Sequence, residues 1–202
     1  PRSVKAAVGL SVDALPHDDA RDLLSLVAYL SPDDLWLDMI GDGAQSRNDD
    51  GAFQWPAFIE RIAETPSRLH SAVSTLERIS LIKREGEGDN IRFAIHRLSQ
   101  AVIRARLADE GEQWADAAAR IVNAYTPHQF IEPSLWRRFA RLVPQTEALL
   151  LYAPPSSATC RLLDLIGGYF HERGNYPRAI QLREAALTIS AGVNGIATVL
   201  YS

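Results

Sequence analysis

Ile95-His96-Arg97 is where residue type and position in this 202-residue sequence combine to point to chemistry. Ile91, Phe93 and Ile95 alternate with Arg92 and Ala94, the pattern of a half-buried strand, and a helical period resumes at about His96. His96 therefore falls near a helix N-terminus, where unpaired N–H groups and the helix dipole favour an anion. Arg97 follows it at the start of that helix. The competing reading of His96 is structural, as a capping or half-buried histidine.

The other reactive side chains carry weaker patterns. His17, His70, His128 and His171 are scattered without metal-ligand spacing and read as surface or packing residues. Ser156 and Ser157 lie in a proline-rich break with no histidine near them in sequence. The runs GDG at 41–43 and NDDG at 48–51 fail the calcium-loop pattern, since Ala57 stands where its final acidic residue belongs. Asp18-Asp19 and Asp33-Asp34 sit at helix starts, where capping accounts for them. The pairs Trp36/Trp55 and Trp114/Trp136 read as core or inter-helix anchors. Cys160, the single cysteine, excludes an internal disulfide and reads as a small packing residue in a reducing compartment. There is no G-x-x-x-x-G-K-[ST] loop and no apolar strand ending in magnesium-binding acids, so no enzyme activity, metal or cofactor is expected of this chain by itself.

Composition bounds the class. With 47% hydrophobic and 23% charged residues the chain is globular, and no apolar run is long enough to span a membrane. No signal peptide is recognisable, which points to the cytoplasm. The net charge of −4 conceals an asymmetry: residues 13–66 carry three Arg against twelve Asp and Glu, whereas residues 67–107 carry eight Lys and Arg against four. The chain opens on Pro1 with Met39 as its only methionine, so it reads as a piece of something longer.

Elements that would position His96 follow from apolar periods. Residues 13–31 read as a helix with Ala20, Leu23, Leu24, Val27 and Leu30 on one face. A shorter helix starts at Asp33-Asp34, an exposed loop covers 41–54, and a helix starts at Pro56. Another carries Leu69, Val73, Leu76 and Ile79. Leu81–Arg84 pairs with the Ile91–Ile95 strand across the turn EGEGDN, and the helix after it turns Leu98, Val102 and Ala105 inward. Helices, one β-hairpin and a helix are the order of a winged helix-turn-helix domain, placed at 1–110. A helical linker follows at 111–153, with stripes at Trp114, Ala117, Ala118, Ile121, Tyr125 and at Leu135, Phe139, Leu142, Val143, Thr146, Leu149. Helices at about 158–172 and 176–190 complete a mainly α fold.

Residues 163–187 carry tetratricopeptide spacing: Ile166-Gly167, Phe170, Gly174, Tyr176, Ala179 and Ala186-Leu187 fall in register. Gly167 and Ala179 are small where two antiparallel helices cross, Gly174 permits the turn, and Phe170 and Tyr176 are expected to fill the space between helices. Leu163 and Arg183 stand where the repeat usually has aromatic residues. One repeat cannot bury its own faces, so a truncated array is expected over 154–202, with a second repeat beginning near the end.

The whole arrangement resembles the C-terminal part of a bacterial STAND-class (NB-ARC or AP-ATPase-like) signalling NTPase. The resemblance is carried by HSAVSTLERISLIKREGEGDNIRFAIHRLSQAVIRARL at 70–107, extends back to 8–40 and runs forward through the repeat. It implies that His96 matches the histidine of a Met-His-Asp motif, which contacts the β-phosphate of ADP and holds a switch closed. Ile95 and Arg97 replace that motif's other residues, and the match implies that Arg97, with its planar fork, would meet the phosphate directly. The resemblance further implies an upstream nucleotide-binding domain in the same chain, using ADP or ATP with magnesium, and a protein or peptide ligand for the repeats. The alternative is a stand-alone repeat scaffold for protein–protein interaction. A DNA-binding winged helix ranks below both, because its reading helix would offer only Arg68, His70 and Arg78, and its wing tip, residues 85–89, is acidic.

Overall fold

Two carboxylates, Asp18 and Asp19, occupy the first turn of helix α2 (Asp18–Val27), where they complement the helix dipole. This computed structural model describes residues 2–15, 18–47, 53–87 and 90–200, with side chains from Ala6 to Gly192 within those segments. Helix α1 (Arg2–Asp13), for which the apolar pattern offered no prediction, precedes α2. The predicted apolar face of α2 is fully buried: Ala20, Leu23, Leu24 and Val27 expose nothing to solvent.

Beyond α2 the chain departs from expectation. Asp33-Asp34 does not start a helix; Asp34 takes a left-handed φ of 53° and leads into a two-residue strand, β1 (Leu35–Trp36). Helix α3 (Leu37–Gln45) then runs through the Gly41–Gly43 stretch read as loop. The reason lies in packing that local sequence does not display. Gly43 faces α7 (Gly111–Tyr125) so closely that a Cβ there would come 2.5 Å from the Ile121 carbonyl oxygen. Helices α4 (Ala57–Glu64) and α5 (Ser67–Arg78) follow, each starting after a proline.

Strands β2 (Ile82–Glu85) and β3 (Arg92–Ile95) form the predicted hairpin, and β1 adds to its other edge, giving the antiparallel order β1-β3-β2. Leu35 lies opposite Phe93 and Ile82 opposite Ile95. A two-residue strand has no alternation to detect, so β1 exists only because β3 has an edge to satisfy. Helix α6 (Arg97–Leu107) leaves the sheet with Val102 inward as expected and Leu98 half-buried, but its face is rotated from the one expected at Ala105. Ala105 is exposed, and the buried positions are Ser99, Gln100, Val102 and Ile103.

The fold is mainly helical, with one small antiparallel sheet followed by a helical linker and a helical hairpin. The apolar core is continuous from Val12 to Ala186. Helix α7 packs on α3 and α2, and α8 (Trp136–Leu149) packs on α7 and α9 (Ser157–Glu172). Ser156 caps α9, its Oγ accepting the Thr159 N–H. At the far end Gly174, with φ 74°, closes α9 in a Schellman turn: its N–H bonds the His171 carbonyl, and Asn175 N–H bonds that of Phe170. Helix α10 (Tyr176–Leu200) runs on beyond the predicted stop at about 190, there being no proline after Pro177 to end it.

Helix α8 reaches back to the loop before β1 through Gln145, which exposes nothing to solvent. Its Oε1 accepts the Ser31 N–H at 2.9 Å, and its Nε2 donates to the Asp34 carbonyl at 3.3 Å. Gln145→Ala strands these buried groups and is expected to cost about 2–3 kcal/mol in urea unfolding. Exposed Glu147→Ala on the same helix should cost no more than about 1 kcal/mol.

Candidate functional site

His96 is the N-cap of α6, in extended backbone conformation, and its Nδ1 accepts the Leu98 N–H at 3.1 Å. The capping alternative is thus realised, but the residue is exposed rather than half-buried. Because Nδ1 accepts, a neutral ring carries its proton on Nε2, leaving an N–H donor with no partner among the described residues. Arg97 begins the helix with a side chain 82% exposed and stands 3.9 Å from the Asp33 carboxylate.

The placement of this corner depends on polar residues that no motif singles out. Ile95 N–H bonds the Pro32 carbonyl at 2.9 Å, tying the end of β3 to the segment that follows α2. Gln100 sends its amide into that segment, donating to the carbonyls of Val27 and Leu30 at 2.9 Å each. Arg104 donates to the Ala28 carbonyl and lies over the Tyr152 ring. Gln145 holds the same stretch from α8. The sequence signal for these residues was faint: polar side chains at positions of a helix face that must be buried.

A second cluster fixes α2 against α4 and α5. Asp19 accepts from Arg61 and Arg68 at 2.8 Å each, and Asp22 accepts from Arg61 at 2.9 Å. Burial alone would raise the Asp19 pKa, but hydrogen bonds from Arg68 and Arg61 outweigh it and hold the group below its ordinary value. For Asp22 burial dominates over the Arg61 bond, and its pKa is raised. On α7, burial and the hydrogen bond from its hydroxyl to Asp38 push Tyr125 up to about 12.

These contacts bear on α5, which would be the reading helix of a DNA-binding winged helix. Arg68 is engaged with Asp19, and the hairpin's Lys83 and Arg92 both reach Glu85, at 2.8 and 3.1 Å. Of the other candidates, GDG at 41–43 lies within α3, while NDDG at 48–51 and His17 fall outside the described residues. Trp55 and Trp114 are buried, and Trp136 donates to the Phe130 carbonyl. Among the described residues there is no cluster of three His, Cys, Asp or Glu that would hold a metal.

In the helical hairpin, Gly167 sits where a Cβ would meet Arg183 Cγ at 3.0 Å and the Ala179 carbonyl at 3.4 Å. Ala179 and Ala186 are buried, and Phe170 packs half-buried against Tyr169. Tyr176 departs from expectation: it is 56% exposed and meets only the edge of His171, because Gly174 turns the chain before Tyr176 can enter the interface. Arg183, at the position usually aromatic, pairs with Asp164 across the helices. Gly168, not singled out, gives room to the Phe130 ring.

A mainly helical chain with a three-stranded antiparallel sheet, whose last strand ends at an exposed histidine N-cap, is the class that fold and site define. The family described as "Domain of unknown function (DUF7779)" matches residues 10–112, from the end of α1 to the start of α7, and the chain belongs to it. No curated protein and no solved structure matches the chain. No helix among the described residues is long and apolar enough to cross a membrane.

Asp19 yields a pH prediction. An acid with lowered folded pKa stabilises the fold above its unfolded pKa and loses that contribution as pH falls through the folded value. The stability gap between wild type and Asp19→Asn should be widest near neutrality and close below about pH 4. Urea midpoints at several pH values test this, and a gap independent of pH contradicts it.

Proposed function

We propose that this chain is the regulatory and sensor portion of a STAND-type signal-transduction NTPase, acting in the cytoplasm. In this reading His96, aided by Arg97, faces the phosphates of ADP held by an upstream nucleotide-binding domain, and the closed state is favoured. The observation that carries it is the state of the His96 ring: its cap to Leu98 orients it and leaves Nε2–H exposed beside a helix N-terminus. This chain's contribution to a nucleotide is one edge, a donor N–H and a guanidinium. Magnesium and the nucleotide cradle belong to the upstream domain.

The helical hairpin is the sensing module, resembling the start of a tetratricopeptide array that takes a protein or peptide ligand. Ligand capture shifts the population toward an open state by drawing on α8 and α9. Gln145 and the Pro32–Ile95 bond offer the physical route from α8 to His96. A scaffold reading, without any nucleotide, is favoured by a different observation. Tyr176, Ile180 and Leu187 form an exposed stripe along α10 at helical spacing. Nucleic acid is disfavoured, because Arg68, Lys83 and Arg92 are already paired with carboxylates.

Two substitutions in the full-length protein separate the cap from the phosphate contact. His96→Ala removes both and should cost about 1 kcal/mol of stability; His96→Ser retains a capping oxygen and should leave stability unchanged. Both should release bound ADP about tenfold faster and raise basal signalling. Unchanged ADP occupancy in both variants overturns the nucleotide role and leaves the scaffold.

A further inference from the structure

A cavity of about 310 Å³ opens where the α3–α4 connection, α7 and the first turns of α9 meet, away from the His96 corner. Its wall gathers hydrogen-bond donors from all three. Trp55 comes from the connection, Arg120 and Asn123 from α7, His128 from the loop after it, and Ser157 and Arg161 from the start of α9.

The electrostatics of this wall are unbalanced. Arg120 is anchored by the Asp116 carboxylate at 2.9 Å and stacked over the Phe53 ring, so its charge is offset and its fork is fixed. Arg161 has no such counter-charge: it makes no ion pair among the described residues, and its Nη2 lies 3.1 Å from His128 Nδ1. A guanidinium can only donate, so Nδ1 is the acceptor in this contact and Nε2 is left as a donor, which adds no negative charge. Both groups lie beside the N-terminus of the 16-residue helix α9, whose dipole has the same sign.

A separate observation indicates a missing partner. Trp55 is more than nine-tenths buried, and its indole Nε1–H has no hydrogen-bond partner; Asn123 Oδ1 in the same wall also has none. Of the five such atoms among the described residues, these two belong to the wall of one polar cavity, where a guest with hydrogen-bonding groups can supply what they lack. An oxyanion in the cavity would take donors from the guanidinium, the imidazole and, after a small shift of its covered ring, the Trp55 indole N–H, and the Asn123 amide can turn to offer its NH₂.

We propose that this cavity binds a small phosphate-bearing ligand, with Arg161 supplying the principal charge and Trp55, His128 and the start of α9 supplying donors. Such a ligand bridges the helical hairpin, α7 and the α3–α4 connection, and stiffens the packing between them. The proposal is independent of any role for His96.

The test is calorimetric titration of the 202-residue chain with inorganic phosphate, pyrophosphate and ADP, each against wild type, Arg161→Ala and Arg137→Ala. Arg161 and Arg137 are both exposed, so both variants should fold, and circular dichroism checks this. The expected result is saturable binding of phosphate or pyrophosphate, weakened about tenfold in Arg161→Ala and unchanged in Arg137→Ala. ADP binding with the same Arg161 dependence identifies a nucleotide phosphate as the source; binding of the inorganic anions without ADP identifies a free phosphate. No saturable binding by any of the three, or binding that Arg161→Ala leaves intact, overturns the proposal.

Discussion

The backbone of the short segment that follows α2 is the constraint on which the rest of the structure depends. Local turns satisfy the carbonyls of Leu24, Leu26 and Val27, but the chain after the helix continues inside the protein, where water cannot satisfy the rest. The answer comes from far along the chain. Gln100 takes the carbonyls of Val27 and Leu30, Arg104 that of Ala28, and Ile95 N–H that of Pro32. Gln145, more than a hundred residues away, accepts the Ser31 N–H and donates to Asp34. Helix α6, strand β3 and helix α8 are therefore held in place by one short segment.

This arrangement also fixes the corner at His96. The residue after Ile95 is His96, so the bond that completes the α2 segment also sets the position of the α6 N-cap. An exposed, solvated histidine is usually free to adopt several rotamers. Here its backbone is pinned by Pro32 on one side and its ring by Leu98 on the other. His96 is held in one orientation by groups that its exposed edge does not face, and a displacement of α8 acts on the same segment as a displacement of α6.

Arginine does much of the joining elsewhere, and by two different means. In the Asp19–Asp22–Arg61–Arg68 cluster it works as a fork that unites three helices through carboxylates. In the linker it works by stacking: Arg138 lies over Tyr125 and Arg141 over Trp36, both at 3.7 Å. The acidic 13–66 stretch and the basic 67–107 stretch are thus partly an internal pairing. Their complementary charges meet at the α2–α5 contact and, through Arg106 and Asp13, at the α1–α6 contact.

By itself the sequence determined what depends on local periodicity and backbone chemistry. The buried face of α2, the hairpin with Phe93 and Ile95 inward, the stripe of α7, and the Gly167–Gly174–Ala179 hairpin were all legible, because a 3.6 or 2.0 period or a required small residue reports on its immediate environment. His96 as the junction between strand and helix was legible for the same reason. Tertiary structure alone decided the rest. Strand β1 is too short to carry a period, Gly43 lies in α3 because Ile121 passes above it, and Tyr176 is exposed because the turn at Gly174 directs it outward. Gln100 and Gln145 were invisible as structural residues, since a polar side chain buried to satisfy a distant carbonyl looks, in sequence, like one that belongs in water.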